Sequence, residues 1–415
     1  APLPHRSFIL NQGATSMKRM MIAGAAAALA LNGAVATAGE VKVGSAAAVT
    51  GPIAELVVAI VNARNLAASH VNEQGGLHGG DNYTLVQGDS QCDPKAAVDA
   101  GAKLVNVEQA VAILGANCSG ATNGMAQSVT IPAGVVMISD TATAPSISDL
   151  DDNDLVFRVA PSDAYQGRSL AELAWEHGYR KLAVSYANDD YNSGLAGVFA
   201  AAFTELGGTI TGNEAHEPSK ASYRAELATL AAGEAEGLAL FAYFGSSGIT
   251  ILRNSLENAL FGKFLGADGM MDNSVIEQIG ADNLRGNIML SQPASDTEGA
   301  SFQAFAAAFE AAGHSPAAPF VAHSYDISFL AALAIEKAGS ADRGAISAAL
   351  REVANAPGMV IRPGEWAKAK EAIAAGEDIN YEGASGAIEF DENGDVAGTY
   401  SLNVVGDDGT WTPVM

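Results

Sequence analysis

Past residue 40, short apolar runs alternate with longer amphipathic stretches, and turn residues separate them. Residues 41–47 read as a strand, 54–71 as a helix ending before Gly75-Gly76, and 83–89 as a strand. The stretch 95–107 reads as a helix, with Asp93 as its N-cap and Pro94 in its first turn. Strand 110–114, helix 120–129 and strand 135–139 follow, then an irregular acidic segment over 140–154. A second series repeats the alternation. Strand 155–159 leads to a helix near 165–177, strand 182–186 and helix 193–206. Segments 209–216, 223–232, 238–243, 249–259 and 263–266 continue it. Such alternation predicts parallel sheets with helices on both faces, and two series predict two α/β lobes, each a doubly wound parallel sheet. Phe302, Phe305, Ala306 and Phe309, then Leu330, Leu333 and Ala334, recur at helical spacing and read as core stripes. Residues 387–390 and 400–405 read as closing strands joined by a turn over 391–395.

Ahead of this pattern stand a basic segment, Met17-Lys-Arg-Met-Met, an apolar run over 22–31 and a small-x-small site, Ala36-Thr-Ala38. Together they predict a cleaved signal peptide, with residues 1–16 upstream of it. The apolar run is too short to span a bilayer, which needs about 20 residues. The rest is too long for one typical core.

Charge narrows the partners. The chain has 47 Asp and Glu against 22 Lys and Arg, a net charge of −25, and three of the bases (Arg6, Lys18 and Arg19) fall in the leader. Such a surface repels nucleic acid and anionic lipid. Export also bears on the two cysteines, Cys92 and Cys118. An oxidising compartment joins such a pair, and two buried free thiols are the alternative. No histidine lies near either, which argues against a metal site.

Catalytic signatures are missing. There is no G-x-S-x-G, P-loop, G-x-G-x-x-G or H-E-x-x-H, and the seven histidines show no metal-ligand spacing. Asp391, Asn393 and Asp395 look like the start of a calcium loop, but Val396 stands where glycine is required, so a plain turn is expected. No metal or cofactor is expected.

What remains lies at the C-terminal ends of predicted strands, where open α/β sheets bind ligands. Ser119, Thr141-Ala142-Thr143, Tyr191, Phe244 and Asp268 all fall there. Hydroxyls and amides at Ser119 and Thr143 suit an α-carboxylate, and Asp268 suits an α-ammonium. Taken alone, Ser119, Thr143 and Asp268 each read more readily as cap or turn residues. As a set they describe a zwitterion site.

These stretches, with Thr50-Gly-Pro-Ile-Ala54, Asn72-Glu-Gln-Gly-Gly76, Cys92-Asp-Pro-Lys-Ala-Ala97, Cys118-Ser119, Met137-Ile-Ser139 and Gly266-Ala-Asp-Gly269, resemble the leucine/isoleucine/valine-binding proteins of ABC importers. These are type I periplasmic binding proteins. The resemblance spans essentially the whole chain after the leader. It implies a Cys92–Cys118 disulfide and a carboxylate held by Ser119 and Thr143 with backbone at Thr141 and Ala142. It further implies an ammonium on Asp268 helped by Tyr191, and pocket walls at Leu56, Phe244 and Phe320. The sequence departs from the family at four places. Leu56 replaces the usual aromatic, Asp268 the usual Glu, Phe244 a frequent Tyr, and Asp140 a frequent Pro. A wider wall at Leu56 would admit a bulkier side chain, and Asp140 would favour an extra amine.

The implied architecture is two lobes joined by three crossovers, near Ala160, Ser291 and Ala387. Lobe 1 is expected over 39–160 with 292–387, and lobe 2 over 161–291 with 388–415, after 1–38 as upstream residues and leader. The implied role is a monomeric periplasmic carrier of a branched-chain or other hydrophobic amino acid. It would deliver its ligand to a permease and ATPase in the inner membrane, with no nucleic-acid partner and no chemistry on the ligand. A sensor of the same fold, or a binder of another small amino- or amide-containing solute, is the alternative. A secreted hydrolase would need a base such as His323 beside Ser119.

Overall fold

The computed structural model describes residues 39–414, so the leader expected over 1–38 lies outside the described residues. Five parallel strands build a first sheet in the order β2-β1-β3-β4-β5: β1 (Glu40–Ala47), β2 (Asn82–Asp89), β3 (Ala112–Leu114), β4 (Val136–Ser139) and β5 (Val156–Arg158). Helices α1 (Ala54–Glu73), α2 (Pro94–Ala102) and α3 (Ser119–Met125) connect them. Every residue of β3, β4 and β5 is buried, as expected of strands covered on both faces. Asp93 caps α2 by accepting from the Ala96 N–H at 2.8 Å.

The second sheet takes β6 (Lys181–Ala187), β7 (Thr209–His216), β8 (Gly237–Phe241), β9 (Phe264–Ala267) and β10 (Ile288–Ala294) in parallel. Its helices are α4 (Asp163–Glu176), α5 (Asp190–Glu205), α6 (Arg224–Ala231), α7 (Ile249–Glu257) and α8 (Asn273–Ile279). The chain continues through α9 (Ala300–Ala311), α10 (Val321–Ala338), α11 (Arg343–Ala354), β11 (Met359–Ile361), α12 (Trp366–Ala374) and β12 (Ile379–Tyr381). It ends with β13 (Thr399–Val405) and β14 (Trp411–Pro413), which close the order β14-β13-β10-β9-β8-β6-β7. This last hairpin pairs antiparallel, the one departure from an all-parallel expectation in the second sheet.

Helix α10 is buried from Val321 to Glu336 and packs between α1 and α11 against the first sheet. Elements α11 to β12 had no counterpart in the sequence reading. The signal was present in Asp342, which caps α11, followed by Ile346, Ala349, Leu350 and Val353 on its buried face.

Residues 387–390 form no strand, only a bridge between Ala387 and Glu382. The reason is local. The Asn355 amide takes both backbone groups of Phe390, donating to its carbonyl at 2.8 Å and accepting from its N–H at 3.0 Å, so no ladder is needed there. Ile388, Phe390 and Val396 lie in the same apolar cluster as β3, β4 and α10, and Arg158 N–H donates to the Gly394 carbonyl. The chain therefore stays packed on the first sheet until Val396. The 391–395 turn is tied by its own residues: Asp391 accepts from the N–H groups of Asn393 and Asp395. The Asp395 carboxylate is bonded to Arg158 and Ser148, which leaves it no role as a calcium ligand.

Candidate functional site

The C-terminal ends of β3 and β4 lie side by side, because Leu114 pairs with Ile138. Two loops issue from them, 115–118 and 140–144. The first begins at Gly115, with φ +112°, where a Cβ would sit 1.8 Å from the Ala46 carbonyl, so only glycine fits beside β1. Cys118 is bonded to Cys92, with Cα atoms 5.2 Å apart, and this ties the loop to the end of β2. Reduction is expected to destabilise the fold by about 3 kcal/mol on the chain-entropy estimate. Melting temperature with and without reductant checks this.

Beneath the two loops lies a buried ion pair. Arg64, from α1, donates to Asp140 from Nη2 at 2.6 Å and from Nε at 3.0 Å, and both side chains are fully buried. Asn117 and Ser324 donate to the same carboxylate at 3.1 and 2.9 Å. Asp140 is thus fully engaged by a cation and two neutral donors. The expectation that its charge would favour a ligand with an extra amine is corrected, since Arg64 was invisible as its partner in sequence.

On the second sheet, β8 and β9 pair, so Tyr243, Phe244 and Asp268 emerge together just beyond their ends. Tyr191, in the first turn of α5, stacks on Tyr243 with ring centroids 5.3 Å apart. Its hydroxyl accepts from the Gly269 N–H at 3.1 Å. A Cβ at Gly269 would press within 2.8 Å of both the Tyr191 ring and the Ala242 carbonyl, so this contact needs glycine.

The two groups face one cavity of about 30 Å³, room for about two waters. Leu56, Thr141, Asn117 and Phe320 line it from the side of the first sheet, and Tyr191, Phe244 and Asp268 from the second. One apolar cluster runs across both walls through Ile53, Phe244 and Phe320. At Gly245 a Cβ would fall 2.2 Å from the Pro52 carbonyl, which shows how closely the walls meet.

Six of the nine residues expected from sequence therefore converge: Leu56, Thr141, Tyr191, Phe244, Asp268 and Phe320. Ser119, Ala142 and Thr143 do not line the cavity but form a buried brace beside it. Ser119 Oγ accepts from the N–H groups of Thr143 and Ala144 at 3.2 and 3.1 Å, which leaves its own proton to donate. Its hydrogen bonds involve no histidine, so the geometry gives no support to a Ser119–His323 pair. Thr143 Oγ1 donates across the cleft to Asp163 at 3.0 Å. Ser119→Ala is expected to cost about 1–3 kcal/mol of stability, because two buried N–H groups lose their acceptor. Denaturant unfolding measures it.

Sequence reading missed Asn117, Tyr243, Asp163 and Gln166. Asn117 directly precedes the quoted Cys118-Ser119 and Tyr243 is adjacent to Phe244, so both were within reach. Asp163 and Gln166 read as ordinary first-turn residues of α4. Gln166 Nε2 donates to Asp268 at 2.8 Å. Neither Asp163 nor Asp268 is ion-paired among the described residues. Burial pushes Asp268 up to about 6, and burial followed by the nearby Asp268 charge holds Asp163 well above the usual carboxylate range. Such a wall favours a cation: an ammonium placed there relieves the cost of two buried acids.

A leucine-, isoleucine-, valine-, threonine- and alanine-binding protein of Pseudomonas aeruginosa is 27% identical over 343 residues, covering 82% of this chain and 90% of that protein. A substrate-binding protein of a chemotactic signal transduction system in Halobacterium salinarum is 25% identical over 358 residues, covering 84% and 83%. The solved structure of a leucine-binding protein from Thermotoga maritima superposes with a TM-score of 0.77 at 24% identity, covering 90% of this chain and 98% of that one. Residues 40–395 match the model of a single protein family, and the chain belongs to it: it is a periplasmic binding protein.

Proposed function

We propose that this protein binds an α-amino acid, branched-chain or otherwise hydrophobic, between its two lobes. The observation that carries the reading is the convergence of an acid and a tyrosine hydroxyl from one sheet with hydroxyl and amide groups from the other around one apolar cavity. In this reading Asp268, with Tyr191 beside it, takes the ammonium. The carboxylate lies against Thr141 and the backbone of Ala142 and Thr143, with Ser119 fixing that loop and offering its proton. Leu56, Phe244 and Phe320 hold the side chain. The ligand bridges both walls only when they are close, so binding favours closure.

The lobes are 39–160 with the segment from α9 to Val396, and 161–294 with β13 and β14. The closed form would be read by an ABC permease and its ATPase at the inner membrane, by a monomer in the periplasm. The names of the relatives support this role, and they support binding without catalysis. No helix of the described residues is long and apolar enough to cross a membrane. The chemotactic relative in Halobacterium favours a second reading, in which the loaded protein signals instead of delivering cargo.

Calorimetry with the proteinogenic amino acids, on protein unfolded and refolded to strip bound solute, tests the site. Saturable binding of at least one hydrophobic amino acid is expected. Binding of none sinks the reading.

A further inference from the structure

A second cavity, about 840 Å³ in volume, adjoins the first on the side of α1 and α10. The two share two lining residues, Leu56 and Phe320. Leu56 is half-buried in the first turn of α1. Phe320 precedes α10 in a left-handed conformation, φ +62°, uncommon for so bulky a residue. Its carbonyl accepts from the Ser324 N–H at 2.8 Å, and the Ser324 hydroxyl donates its one proton to the buried Asp140 at 2.9 Å. The Phe320 backbone is thus fixed to the same ion pair that supports the inner cavity.

The outer space has a defined chemistry. Met271, Phe302 and Trp411 give it apolar surface, and Trp411 is fixed by donating from Nε1 to the Asp272 carbonyl at 3.0 Å. Its charged lining is Glu55 and Asp272, with no lysine or arginine. His323 lines it too, and burial pushes its imidazole down to about 4, so it is neutral near pH 7. The chamber is therefore mixed in lining, with Asn273, Gln292, Ser401 and Asn403 beside its apolar residues, and negative in net charge.

We propose that Leu56 and Phe320 form a partition through which the ligand's side chain passes, and that the outer chamber takes the far end of an α-amino acid longer than leucine, uncharged or cationic at its tip. This rests on the amino-acid reading above. The inner cavity, widened as the ligand enters, takes the zwitterionic head, and the longer stem gains affinity by burying methylenes beyond Leu56, roughly fourfold for each one fully buried. An acidic tip meets Glu55 and Asp272 with no cation to offset them, and is rejected.

The test is calorimetry of the stripped protein with L-leucine, L-homophenylalanine, L-arginine and L-2-aminoadipate. Homophenylalanine and arginine are expected to bind at least as tightly as leucine, and aminoadipate about tenfold or more weaker than arginine. Two variants outside the inner cavity locate the effect. Ala59, one helical turn beyond Leu56, lines the outer chamber alone. Ala59→Phe should weaken the long ligands about tenfold while leaving leucine within about twofold. Glu55 is exposed, so Glu55→Lys keeps the fold and should reverse the order of arginine and aminoadipate, even if Ala59→Phe folds poorly. The proposal is overturned if leucine binds but affinity drops with every extension, or if long ligands bind and neither variant alters them. Failure of leucine and all the others would instead sink the amino-acid reading itself.

Discussion

Asp268→Asn is expected to weaken amino-acid binding by about 1.5–3 kcal/mol, the range for a hydrogen bond to a charged group, and at the same time to raise the melting temperature measured at pH 7.5 without ligand. The two effects share one cause. Asp268 is 7% exposed, its side-chain hydrogen-bond partners are the neutral Gln166 and Tyr191, and Asp163 stands near it with a raised pKa of its own. Arg158, whose charge acts on Asp163, already pairs with Asp395. With its folded-state pKa pushed up to about 6 from an ordinary 3.8, Asp268 keeps its proton longer in the folded protein than in the unfolded chain. Stability from this group is therefore present at low pH and lost as pH rises from about 4 through about 6. Near neutrality its full ionisation costs on the order of 3 kcal/mol, and asparagine removes that cost. An ammonium needs the ionised form, so wild-type affinity should fall as pH drops below about 6, by up to about tenfold per pH unit. Buried His216 and His323, both pushed down to about 4, act on stability in the opposite sense, because they must take up protons as pH falls. The difference in melting temperature between wild type and Asp268→Asn, taken at each pH, separates Asp268 from the histidines. A variant that binds normally, or a wild-type affinity flat between pH 7.5 and 5, would remove Asp268 from the ammonium role.

Arg64→Met carries the largest expected loss of stability, about 3–5 kcal/mol, because it leaves the Asp140 carboxylate buried without its cation. Arg64 also donates to Ser45 Oγ at 3.1 Å and to the Ala46 carbonyl at 3.0 Å, so the end of β1 loses its fixing as well. Asp140 precedes Thr141 directly, and Asn117 donates to it, so the cavity wall should loosen and binding should weaken with stability. The double variant Arg64→Met with Asp140→Leu should regain much of the loss, since it replaces the pair with apolar groups. Denaturant unfolding of the single and double variants measures this. A single-variant cost below about 1 kcal/mol would mean that the pair is worth no more than a surface ion pair.

Much of the site was legible because its residues sit in short motifs at strand ends. Asp268 follows β9, Phe244 follows β8 by three residues, and Thr141 follows β4 by two, so the rule that ligands meet the C-terminal ends of parallel strands was enough to select them. Asp140 shows where that reasoning stops. Its neighbours in sequence made it look like a free charge at the cleft, whereas its cation comes from α1, 76 residues earlier in the chain. Ser119 and Thr143 show the same limit more mildly. Their residue types promised donors for a carboxylate, but the fold commits one to bracing a loop and the other to Asp163. Residues 387–390 failed as a strand because Asn355, 35 positions away from Phe390, supplies the backbone partners a neighbouring strand would have offered.

The strand and helix alternation up to β9, the two-lobed α/β class and six of the cavity's residues were legible in the sequence alone, since hydrophobic period, caps, turn residues and short motifs span only a few neighbours along the chain. Which carboxylates are neutralised and which are not was decided only in three dimensions. So were the division of the cleft by Leu56 and Phe320 and the point where the chain last leaves the first sheet. Burial, pairing and enclosed volume depend on groups that folding brings together from distant parts of the chain, and no local pattern encodes them.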